Sequence, residues 1–205
     1  REAPLRAAVE AGRAHDVMVG DVRSPGAALD FDVLVNAAGV ARSAPFLRSD
    51  DALWRDLLDV NLMGAVAMTR AVLPGMIERR AGRVIHVAST AALRGYAYTT
   101  AYVASKHALL GFVRSLALET AEKGVTVNAV CPGFTDTEIV AASVANIVAR
   151  TGRSEAEAVA ELAKFNPQKR LVRPEEVAAA VLFLAADAAA AVNGQAIAVD
   201  GGETQ

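Results

Sequence analysis

Residues 83–106 read RVIHVASTAALRGYAYTTAYVASK: an apolar run, a short loop, and the opening of a long amphipathic stretch. The run Arg83 to Ala88 is β-branched and too short for a helix, so it is expected to be a strand. From Thr100 to Lys123 apolar residues recur at helical spacing, so a helix follows. The alternation repeats outward in both directions. Asp16 to Gly20, Asp32 to Asn36, Thr126 to Val130 and Gln195 to Val199 read as further strands, apolar almost throughout, as strands covered on both faces must be. Asp51 to Arg80 and Pro174 to Ala186 read as helices, the second with proline in its first turn. This order predicts an α/β fold: one domain over residues 1–205, built on a doubly wound parallel sheet.

Composition bounds the chemistry. With 205 residues, 53% of them hydrophobic, the chain can bury one continuous core. A net charge of −2 without a basic stripe speaks against nucleic acid as a partner. Apolar runs such as Ala178 to Leu184 fall short of the ~20 residues that span a bilayer, and the opening REAPLRAAVE is no signal peptide. A cytoplasmic protein with no membrane partner is therefore expected. One cysteine, Cys131, allows no internal disulfide and too few thiolates for a structural zinc site, and reads as a small buried hydrophobe. His15, His86 and His107 show no metal-ligand spacing, so no metal is expected.

Ligands of parallel sheets bind at the carboxyl ends of the strands. Here those ends are Asp21, Asn36 to Gly39, Ser89 and Pro132 to Thr137. A tyrosine beside a fixed cation can supply a proton to a developing alkoxide near neutral pH. Tyr102 and Lys106, four apart in a helix, share one face, close enough for the ammonium to favour the phenolate. Each residue also has a plain reading. Tyr102 and Lys106 suit a solvated helix pair, Ser89 an N-cap, Asn61 a solvent-facing amide, Asn36 to Gly39 a tight turn, Asp21 a turn or cap, and Pro132-Gly133 a chain breaker.

Taken together these residues resemble the short-chain dehydrogenase/reductase family. Ser89 stands thirteen residues before the Tyr102-x-x-x-Lys106 pair; Asn36-Ala37-Ala38-Gly39 is similar to the family's N-(N/A)-A-G turn; Asn61 matches its helix asparagine; and Pro132-Gly133 with Thr137 matches its P-G-x-x-x-T segment. The resemblance implies a Rossmann-type fold and an NAD(P)-dependent oxidoreductase interconverting a ketone and a secondary alcohol. In it Tyr102 is the proton donor or acceptor, Ser89 holds the carbonyl oxygen, and Lys106 binds the nicotinamide ribose. Asn61 anchors a proton-relaying water. It further implies cofactor contacts at Asp21 and Val22 (adenine), at Asn36, Ala37, Ala38 and Gly39 (adenosine ribose), and at Pro132, Gly133, Thr135 and Thr137 (nicotinamide carboxamide). NADP is favoured slightly over NAD, and a homotetramer or homodimer is implied.

Residues 138–169 read as a lid of two amphipathic pieces, Ile139 to Arg150 and Ser154 to Phe165. Glu155, Glu157 and Glu161 are expected to face solvent, with Ala158, Val159, Leu162 and Phe165 turned inward. An apolar inner face suits an acyl chain, and Cys131 to Phe134 with Ala141 to Val144 is similar to polyketide ketoreductases, so an acyl-CoA or acyl-carrier-protein ketone is the expected substrate. Oxidation of a steroid, sugar or diol, or a non-catalytic dinucleotide sensor, are the alternatives. Two features predict residues beyond those of this chain. Only ten residues, Val22 to Phe31, separate two predicted parallel strands, and no G-x-x-x-G-x-G or G-x-G-x-x-G segment occurs, so a first strand and glycine loop are expected before Arg1.

Overall fold

The computed structural model describes residues 10, 12, 16, 18–26 and 29–205. The apolar runs from Val33 onward pair in their order of occurrence: β1 (Val33–Asn36), β2 (Gly82–Val87), β3 (Val125–Pro132) and β4 (Ala196–Val199) form one sheet, β1-β2-β3-β4, parallel throughout. Leu34 stands beside Val84, Val84 beside Val127, and Ala129 beside Ala196. This register brings Asn36, Ser89 and Pro132 to the same edge.

Helices cover both faces. On one face lie α1 (Asp51–Leu58), α2 (Gly64–Arg79) and α3 (Thr100–Thr120); on the other lies α6 (Pro174–Ala185). Val72, Met76, Leu109 and Val113 pack on Val84, Val127 and Ala129, while Leu184 closes over Ile85 and Val130. Each such fully buried side chain contributes about 1.5–3 kcal/mol of transfer free energy. Between β3 and α6 stand α4 (Glu138–Thr151) and α5 (Glu155–Ala163). Asp50 caps α1 by accepting from Leu53 N at 2.9 Å, and Ser154 with Glu157 forms a capping box at α5.

Four expectations need correction. Asp16 and Met18 to Gly20 are not in a strand, and Met18 and Val19 are exposed: β composition makes a strand only where a neighbour accepts its ladder. Val17, His15 and Arg1 lie outside the described residues. Second, β1 is covered on one face, since Val33 and Val35 are 39% and 44% exposed while Leu34 is buried. Third, the helix predicted over Asp51 to Arg80 is broken in register by a π-helical segment, Asp59–Met63, which joins α1 to α2. Fourth, Asp51–Arg79 as a whole is long and apolar enough to cross a membrane; its apolar face lies instead along the sheet, where Ala65, Val72 and Met76 are fully buried.

Candidate active site

Ser89 leaves the carboxyl end of β2, and its hydroxyl accepts from Ala91 N at 3.1 Å to open a single helical turn, Thr90–Ala92. This bond meets the capping reading of Ser89. Tyr102 and Lys106 project from the first turns of α3. Burial pushes the Tyr102 phenol up, against the Ser89 hydrogen bond that holds it down. The Lys106 ammonium stands over the ring face, 5.9 Å from its centre, and donates to the Val87 carbonyl at 3.1 Å. Burial lowers Lys106 to about 8. Cys131, fully buried at the end of β3, has its thiol pushed up to about 11 by burial, which keeps it neutral, as its reading as a small hydrophobe requires.

Asn61 sits in the π-helical segment, 1% exposed. Its Oδ1 accepts from Val40 N at 2.9 Å, and its Nδ2 donates to Val40 O and to Ser105 Oγ, both at 3.0 Å. Ser105 in turn donates to Tyr102 O at 2.7 Å. The π segment thus joins the turn after β1 to the first turn of α3, a use to which register breaks in helices are often put. Gly39 is the close approach in this assembly: a Cβ there would lie 3.2 Å from Asn61 Oδ1 and 3.6 Å from Lys106 Nζ. The solvent-facing reading of Asn61 is excluded.

Asn36, at the end of β1, turns its amide two ways. Its Oδ1 accepts from Ala38 N at 3.3 Å, which shapes the turn Asn36 to Gly39, and its Nδ2 faces His86 Nδ1 at 3.3 Å. His86 Nε2 lies 3.3 Å from Thr69 Oγ1, whose own proton goes to Ala65 O at 2.7 Å. Donors and acceptors balance only if His86 is neutral with its proton on Nε2. Burial and, behind it, the Lys106 charge lower His86 to about 4, in agreement. Sequence reasoning assigned His86 no role and did not name Ser105 at all. A histidine inside an apolar strand, in register with Asn36, was the available signal for the first.

The segment after β3 holds its shape by short-range bonds: Thr135 Oγ1 donates to Gly133 O at 3.0 Å and Thr137 Oγ1 to Thr135 O at 3.2 Å. Asp21 pairs with Arg23 in an exposed turn, and Val22 packs where a Cβ on Gly64 would come within 2.9 Å. In the lid, Ala158 and Leu162 of α5 close on Val140 and Val144 of α4, so this apolar face is filled by the lid's own helices and is not an open lining. Phe165 departs from its expected place: it is 37% exposed and stacks with Phe134 and Tyr96. Glu155 and Glu157 face solvent, while Glu161 is partly buried. His107 is exposed on α3. Among the described residues no cluster of metal-ligating side chains occurs.

A parallel sheet with a serine, a tyrosine and a lysine gathered at its carboxyl edge defines a site of the dehydrogenase class. Residues 5–204 match the family described as enoyl-(acyl carrier protein) reductase, and the chain belongs to the short-chain dehydrogenase/reductase family. It is 40% identical over 172 residues to the 3-oxoacyl-(acyl-carrier-protein) reductase of Vibrio harveyi, covering 84% of this chain and 66% of that protein. It is likewise 40% identical over 172 residues to the D-beta-hydroxybutyrate dehydrogenase of Cupriavidus necator, covering 83% and 67%. A variant of actinorhodin polyketide ketoreductase, solved with NADPH, aligns with a TM-score of 0.82 and 36% identity over 100% of this chain and 73% of that one. The chain thus spans about two thirds of the length of the curated relatives it matches.

Proposed function

We propose that the chain carries the active site of an NAD(P)-dependent ketoacyl reductase, converting a 3-oxoacyl thioester to its 3-hydroxy form. The observation that carries this reading is the meeting of Ser89, at the carboxyl end of β2, with Tyr102 and Lys106 on the first turns of α3, Lys106 standing over the Tyr102 ring. The relatives' names favour the acyl thioester, and the NADPH in the ketoreductase structure favours NADP over NAD.

The residues present fit the nicotinamide end of a dinucleotide. Gly39 leaves open the space beside Lys106 that a Cβ would enter, and Lys106 uses one of its three donors on Val87. Lys106 would hold the ribose hydroxyls, Asn36 to Gly39 with Asp21 and Val22 the adenosine side, and Pro132, Gly133, Thr135 and Thr137 the carboxamide. When bound, the dinucleotide supplies a hydride. The remaining work falls to this chain. Ser89 donates a hydrogen bond to the carbonyl oxygen, and Tyr102, kept protonated by its burial, gives that oxygen its proton as the alkoxide forms. The phenolate left behind is stabilised by the Lys106 ammonium and regains its proton from solvent by way of Lys106 and a water on the free lone pair of Asn61 Oδ1. A neutral phenol at rest suits reduction better than alcohol oxidation, which starts from phenolate. A cytoplasmic setting and a homotetramer or homodimer belong to the same reading.

Titration of the protein with NADPH and NADH, read by nicotinamide fluorescence and followed by acetoacetyl-CoA turnover, tests it. Saturable NADPH binding with turnover is expected. Binding with turnover of steroid, sugar or diol alcohols alone would replace the substrate class, and binding without any turnover would favour a dinucleotide sensor.

A further inference from the structure

The turn after β4 touches the catalytic loop through one residue, Glu203, by both its side chain and its backbone carbonyl. Glu203 is 6% exposed, and its Oε1 accepts a hydrogen bond from the Tyr96 phenol, 107 residues earlier. Tyr96 Oη accepts in turn from the buried Thr90 hydroxyl at 2.7 Å, the residue after Ser89. Arg94 completes the clasp, donating to Glu203 O at 3.1 Å with its guanidinium 5.3 Å above the Tyr96 ring. All three partners lie on the loop that begins at Ser89 and ends in the helix bearing Tyr102.

The turn that presents Glu203 is itself fixed on its other side. Asp200 accepts from Gly202 N, Thr204 N and Thr204 Oγ1. Gly201, at φ +66°, sits where a Cβ would fall 2.0 Å from Asn166 Oδ1, at the end of the lid. A Cβ on Gly133 would lie 3.2 Å from Glu203 Oε2, so the turn also abuts the segment after β3. The Tyr96 ring meets Phe134 and Phe165 edge-on, at 6.2 and 5.9 Å.

We infer that Glu203 is a positioning residue: by holding Tyr96 it fixes the loop between Ser89 and Tyr102 against the Phe134 and Phe165 wall, and thereby sets the site's hold on its carbonyl substrate. The inference rests on the proposed reductase activity only for its kinetic consequence. One observation separates it from packing. Glu203 Oε2 is buried without a hydrogen-bond partner, a cost that an apolar residue in the same space would not carry. Burial pushes the carboxyl up, while the Tyr96 hydrogen bond and the Arg94 charge hold it down and the Asp200 charge adds to the rise. Glutamine, with the same acceptor at Oε1, would keep the bond to Tyr96.

The test uses the full chain with Glu203→Ala, Glu203→Gln and Tyr96→Phe, the last keeping the ring between its aromatic neighbours. Backbone hydrogen exchange over residues 90–98 is measured first, then NADPH affinity, then KM and kcat for acetoacetyl-CoA. Glu203→Ala and Tyr96→Phe are expected to speed exchange in that loop about tenfold or more and to raise KM about tenfold, with NADPH affinity within about twofold of the native value. Glu203→Gln is expected to restore both to within about threefold. Unchanged loop exchange in both disruptive variants would overturn the inference, as would a uniform rise in exchange across the whole chain with KM unmoved, or a glutamine variant as defective as alanine. If the native protein turns over no ketone, the proposed function fails while the exchange measurements still decide the positioning role.

Discussion

The Lys106 ammonium stands over the face of the Tyr102 ring, 5.9 Å from its centre, and gives a hydrogen bond to the Val87 carbonyl. Beside the phenol, Ser89 supplies the hydrogen bond that draws it down against the rise due to burial. Proton donation and charge support are divided between two neighbours. Ser89 orients the group that transfers the proton, and Lys106 supplies a charge that matters once the proton has left.

Tyr102→Phe removes the only proton that the phenol can give. It is expected to lower kcat for ketone reduction about 100-fold or more, with NADPH affinity within about twofold of the native value. Steady-state kinetics beside a fluorescence titration check this, and unaltered turnover would remove the tyrosine from the mechanism.

Asn61→Ala would take away the partner of the half-buried Val40 N–H and C=O and leave the buried Ser105 hydroxyl only its bond to Tyr102 O. A loss of about 2–4 kcal/mol in unfolding free energy is expected, because unmade buried hydrogen bonds cost their full desolvation. Urea denaturation measures it. A loss below about 0.5 kcal/mol, the level of ordinary surface changes, would show that the network is not structural.

His86 makes stability fall with acid. Its folded-state value of about 4 lies below the 6.5 of an unhindered histidine, so the unfolded chain binds the proton more readily. The stabilisation is complete above pH 6.5 and is lost as pH falls towards 4, by about 3 kcal/mol over the whole range. His86→Asn, which cannot take up a proton, is expected to flatten this dependence in denaturation curves measured from pH 7 to 4. An unchanged slope would assign the acid lability to other groups.

Gly124 and Gly152 both have left-handed backbones, but only the first is crowded. A Cβ on Gly124 would fall 2.0 Å from the Arg80 carbonyl oxygen, whereas one on Gly152 meets nothing within 4 Å. Gly152→Ala is expected to cost about 1 kcal/mol from backbone strain alone. Gly124→Ala is expected to cost about 3 kcal/mol or more, since backbone must move as well. Thermal unfolding of the two variants should separate them clearly, and equal losses would contradict the packing at the start of β3.

The sequence by itself determined what depends on nearest neighbours. Periodicity located four of the five predicted strands and the long helices within a few residues, because burial on the sheet selects apolar residues at each element's own spacing. Ser89, Tyr102 and Lys106 were legible for the same reason: one lies just past a strand and the others share a helix face, so local geometry already aims them at one edge. Only the tertiary structure decided the rest. Asp16 to Gly20 has strand composition, yet a strand is a relation between two segments, and its described residues, Asp16 and Met18 to Gly20, make no ladder. The neutral state of His86 follows from a donor on β1 and an acceptor on α2 that no local pattern relates. Burial pushes the Tyr102 phenol up, and Glu203 reaches Tyr96 across 107 residues of chain. Desolvation and long-range hydrogen bonds depend on which surfaces meet, and that is fixed only when the whole chain has packed.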